Sequence, residues 1–176
     1  DVANGCDSGG PAGAALACRH IEYDVPRAPA GTPPDAAAHV LTSTWRVRDM
    51  MVAGCDARLD YYCADAAVAD ARGGVKLVMA GGHCHAPACL DSELVNADTG
   101  ERLCRVAPAS GAGDAVYDEA GYVWLPPCAW ADDDARLPRP PVIGLDTRLT
   151  SIKRVNSTYE HYGVMAIWQM RAAYAT

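Results

Sequence analysis

Residues 39–47 read HVLTSTWRV, a run of β-branched and aromatic side chains in which Leu41, Trp45 and Val47 share one face at a period of two. That alternation predicts a half-buried β-strand, and the flanking sequence carries the same punctuation. VKLVMAGGHCH (75–85) reads as a further strand, whose Gly81-Gly82 pair predicts a bulge or a close backbone approach. LDSELV (90–95) and ERLCRV (101–106) flank residues 96–100, a five-residue hairpin loop with glycine at its end. ARLDYYCAD (57–65), GYVWL (121–125), TRLTSIKRVN (147–156) and HYGVMAIWQM (161–170) add more strands, the third and fourth of these near the end of the chain. Only ADAAVADARGG (64–74) suggests a short helical turn, and no apolar stripe of helical period runs past ten residues. Many short strands between turns predict an all-β sandwich or barrel. Residues 1–38, rich in Gly, Ala and Pro, read as an irregular N-terminal arm tied down by Cys6 and Cys18, which leaves 39–176 as the β domain.

Bulk composition narrows the class. With no Phe, the large core residues must come from four Trp and eight Tyr together with Leu, Val and Met. A formal charge of −7 argues against nucleic acid and anionic membrane as partners, since both need a basic face. The acidic residues 132–134 read as a solvated loop. No stretch approaches the ~20 apolar residues of a membrane span. Cys6, Cys18, Cys55, Cys63, Cys84, Cys89, Cys104 and Cys128 form an even set with no CxxC pair, which predicts a disulfide framework in an oxidising compartment. Their spacing does not select a pairing. Asn156-Ser157-Thr158 is an N-glycosylation sequon, which agrees with a secreted, extracellular chain carrying an N-linked glycan. The Asp start without a signal peptide suggests a processed piece of a larger extracellular protein.

His83 and His85 are two of only five histidines. In a strand, alternate side chains share a face, so these imidazoles would face one way and Cys84 the other, toward a disulfide partner. The same rule places His161, Gly163 and Met165 together, with the glycine leaving room for an ion or a substrate. A thioether is a soft ligand that favours cuprous copper, and imidazole accepts either copper oxidation state. His83, His85 and Met165 thus form a candidate site for one copper ion, with His161 as a possible extra ligand. His20 and His39 stand apart and take no role. Zinc on His83, His85 and two cysteines is an alternative that requires free thiolates.

The order of these pieces resembles a known domain. A strand carrying HxH, a hairpin VNADTGERL, then TRLTSIKRVN and a late strand carrying Met are similar to the C-terminal domain of the copper type II, ascorbate-dependent monooxygenases, the peptidylglycine α-hydroxylating monooxygenase-like enzymes. IEYDVP, GGHCHAP, NADTGERLC and HYGVMAIWQMR also resemble the stress-up-regulated nodulin family of plants and algae, over about Ile21 to Arg171. The resemblance implies an antiparallel jelly-roll and a catalytic copper on His83, His85 and Met165. The monooxygenases use a second copper on a preceding domain, bound by three more histidines. Here only His20, His39 and His161 remain, without clustered spacing, and no cysteine lies beside Met165. Catalysis would therefore need a partner domain or another extracellular chain. A module of a different class, a structural or recognition unit for adhesion or glycan binding in a coat or wall, uses the same fold.

Overall fold

The computed structural model describes residues 22–50, 65–85, 87–113 and 118–176. Strands dominate: β1 (Glu22–Val25), β2 (Ala38–Arg46), β3 (Val75–Gly82), β4 (Cys89–Asn96), β5 (Arg102–Val106), β6 (Ala109–Ser110), β7 (Val123–Trp124), β8 (Cys128–Ala129), β9 (Val142–Ile143), β10 (Arg148–Asn156), β11 (His161–Met165) and β12 (Trp168–Tyr174). Two short helices, α1 (Val47–Met50) and α2 (Ala66–Ala71), complete the described elements. All strand pairs are antiparallel, and the described residues are mostly β, in keeping with the all-β expectation.

One sheet runs β2-β10-β4-β5, and the second runs β12-β3-β8 with β9 also on β3. Their facing sides share a core. Leu77 and Ala80 of β3 pack in one cluster with Leu94 of β4, Cys104 and Val106 of β5 and Leu149 of β10. β10 shows why: Leu149, Ser151, Lys153 and Val155 alternate inward, while Arg148, Thr150, Ile152 and Arg154 face out. The expected hairpin is present. Asn96 Oδ1 accepts from the Asp98 and Thr99 N–H groups, and Gly100 closes the loop at φ 77°. The disulfide Cys104–Cys128 ties β5 to β8 across the two sheets.

Several boundaries differ from the sequence expectation. Val47 begins α1 instead of ending β2. The expected turn of helix forms as α2, capped by Asp65 Oδ1 accepting from Ala67 N–H at 2.8 Å. The segment 161–170 is two strands, because β11 pairs with β1 and β12 pairs with β3. Of the expected arm, residues 22–37 supply β1 and the buried Val25, which packs with Leu41 and Val155 in a second small core. Cys6, Cys18, Cys55, Cys63 and most of the expected strand at 57–65 lie outside the described residues. No helix among the described residues is long and apolar enough to cross a membrane.

Candidate metal centre

β3 ends at Gly82, where glycine permits a close approach. A Cβ on Gly82 would lie 2.8 Å from Val106 Cγ2 and 3.1 Å from Ser92 Cβ, so the close approach predicted for the glycine pair falls at this residue. The bulge falls elsewhere, at Val78, where the register between β3 and β12 slips by one. His83 and His85 consequently sit in a loop and not on a strand face.

That loop is fastened at several points. His83 N–H donates to Ile167 O at 2.8 Å, and Cys89 N–H donates to His85 O at 3.0 Å. Cys84 pairs with Cys89, closing a short ring of chain around His85. The two imidazoles meet edge to face, with Nε2 of His83 2.7 Å from Nε2 of His85. Strand alternation foresaw their shared direction, but the loop and its disulfide provide it. Burial pushes the His83 imidazole below its ordinary pKa, and the neighbouring His85 and Lys153 push it the same way. Neutral imidazole is the form that binds a metal ion, and at 2.7 Å one of the two Nε2 atoms donates to the other.

Beside His85 opens a cavity of about 100 Å³, lined among others by Lys153, His161, Tyr162, Gly163 and Met165. His161 and Met165 thus reach the same space as His85, while His83 stands behind His85. His161 Nε2–H donates to Asn156 O at 2.9 Å; a carbonyl can only accept, so the lone pair of the neutral ring lies on Nδ1. Gly163 lines the cavity, and nothing lies within 4 Å of a Cβ built there. Its φ of 65° also favours glycine, at a bulge where Tyr162 and Gly163 together oppose Asp24. The bulge also breaks the strict alternation that grouped His161, Gly163 and Met165.

Lys153 is the residue that sequence reasoning missed. Only 2% exposed, it donates from Nζ to His83 O at 2.8 Å and to Met165 O at 2.5 Å. It therefore joins the two chain segments that carry the candidate ligands. Burial lowers its pKa to about 8, and no carboxylate among the described residues pairs with it. A signal was available: Lys153 is the one charged position in the inward alternation of Leu149, Ser151 and Val155.

The donor chemistry fits a soft ion better than zinc. Two nitrogens on one tetrahedral ion, at bonds of about 2.0–2.1 Å, stand roughly 3.3 Å apart, so the rings at 2.7 Å would part by about half an ångström to admit one. Among the described residues no three His, Cys, Asp or Glu side chains converge, and the cavity beside His85 offers the Met165 thioether and the His161 imidazole as further donors. Cys84, Cys89, Cys104 and Cys128 are all in disulfides and supply no thiolate, which removes them from the zinc alternative. Asn156 ends β10 beside this site. Its Oδ1 accepts from Thr158 N–H at 2.8 Å, and its amide nitrogen is the atom a glycan would join. Comparison with protein-family models, with curated proteins and with solved structures finds no match.

Proposed function

We propose that the chain is a secreted, jelly-roll copper domain like the catalytic copper domain of ascorbate-dependent monooxygenases, holding one copper ion on His83, His85 and Met165. The observation that carries this is the approach of the two imidazole nitrogens to 2.7 Å beside a cavity that Met165 and His161 also line. The chain's own residues prepare the site. His83 is held neutral by burial, and the Cys84–Cys89 ring and Lys153 fix the loop before any ion arrives. The Met165 thioether biases the set toward the cuprous state. His161 has its Nε2 committed to Asn156 O, so it would bind through Nδ1 or orient a small molecule in the cavity. Copper held there supplies one-electron chemistry with dioxygen, and turnover would need an electron from a partner domain or another extracellular chain.

The test is reconstitution with Cu(I), removal of excess, and elemental analysis. One copper per chain is expected, lost in His83→Ala. In Met165→Leu, Cu(I) affinity should fall by roughly tenfold or more while the fold persists. A wild-type chain that retains no copper overturns the proposal.

A second reading rests on the exposed rings beside the cavity. Tyr162 is 74% exposed at its rim, and Tyr159, 68% exposed, lies under the Arg27 guanidinium at 5.8 Å. Such rings suit stacking on sugars in a recognition module. Oligosaccharide binding unchanged by metal and lost in Tyr162→Ala would favour it.

A further inference from the structure

We infer that Lys153 makes the candidate site selective for a monovalent ion, by holding a fixed positive charge against the main chain of both His83 and Met165. This inference rests on the copper reading and sharpens it.

The geometry is specific. Lys153 sits in the middle strand of a sheet, between Leu41 on β2 and Ser92 on β4 in register, and is 2% exposed. Its two carbonyl partners belong to the two residues proposed as ligands. Carbonyl dipoles solvate the ammonium without neutralising it. The ammonium stands one hydrogen bond from the main chain of each proposed ligand, 2.8 Å from His83 O and 2.5 Å from Met165 O. A second cation entering beside it is repelled in proportion to its charge. A divalent ion therefore suffers about twice the repulsion of a monovalent one. Across several ångströms of protein, that difference is on the order of tenfold in affinity.

A lysine that merely positions the loop would weaken every metal alike, so the readout is a ratio. Ag(I), a redox-inert monovalent ion, and Zn(II) are titrated at neutral pH into the disulfide-intact chain and its variants, each checked for fold by circular dichroism. Lys153→Met should shift the Zn(II)/Ag(I) affinity ratio toward zinc by about tenfold, and Lys153→Arg should restore it. Ser92→Asp, which places a carboxylate beside an intact Lys153, should shift it in the same direction and serves if Lys153→Met does not fold. Equal losses for both ions, or a wild-type chain that holds Zn(II) as tightly as Ag(I), would overturn the inference and leave the metal site standing. A wild-type chain that binds neither ion removes the copper reading, and this inference with it.

Discussion

Lys153 and Arg154 are consecutive cations on one strand, and the fold treats them in opposite ways. Arg154 faces outward, where Nη1 meets Asp91 Oδ1 at 2.8 Å and Glu93 Oε1 at 3.4 Å. Asp91 also receives Arg105 Nη2 at 2.8 Å, so a largely buried carboxylate is shared by two arginines across three strands. Lys153 faces inward and meets only carbonyls. The outer arrangement balances its charges and serves the sheet. The inner one leaves a charge standing, which is costly for folding. Position on a strand, not residue type, separates the charge balanced by carboxylates from the charge met by carbonyls here.

The contrast breaks most visibly in alkali. The Lys153 pKa is about 8 in the fold against 10.5 for an ordinary lysine. Between those values the unfolded chain holds the extra proton, so the apo fold gains stability as pH rises. Relative to Lys153→Met, the wild type should gain up to about 3 kcal/mol from neutral pH to pH 10.5, by urea unfolding with the disulfides intact. A pH-independent difference would mean that the ammonium is solvated after all.

The Asp91 pair should behave in the opposite sense. Burial alone would raise the Asp91 pKa, but hydrogen bonds from Arg154 and Arg105 outweigh it and hold the carboxyl below its ordinary value. Its stabilisation is therefore full above the ordinary carboxylate range and is lost as pH falls through the depressed folded pKa. Asp91→Ala should cost about 1–3 kcal/mol at pH 7, less than for a fully buried pair because both arginines are partly exposed. The cost should shrink at low pH. An unchanged unfolding free energy would show that the network is ornamental.

The same strand shows what was legible beforehand. The sequence located β10 and its partner hairpin, and the inward face of β10 follows the period of two that a sheet with one buried side forces. It also held Lys153 in plain view among inward positions, where a charge signals either an error of register or a function. The joint approach of His83 and His85 was legible, though its setting was not: the strand ends at Gly82 and the two histidines lie in the loop beyond it. The role of Gly163 was illegible for a related reason. A φ of 65° answers to a register slip against β1, and register between distant strands leaves no local mark. The Cys84–Cys89 pairing could not be chosen from eight cysteines by spacing alone.

The smallest effect is the sharpest control. Arg102 reaches Glu93 Oε1 at 3.4 Å from a side chain 60% exposed, at the edge of the same outer network. An exposed pair of this kind is screened by solvent and must order a long side chain, so its net contribution is small. Arg102→Ala should change stability by no more than about 0.5 kcal/mol and leave metal affinity untouched. The outer network then has a centre at Asp91 and a dispensable rim. If Arg102→Ala instead approached the effect of Asp91→Ala, charge would be spread across the whole outer face. Lys153 would then sit opposite a strongly coupled field, and its influence on the site could not be assigned to its own ammonium.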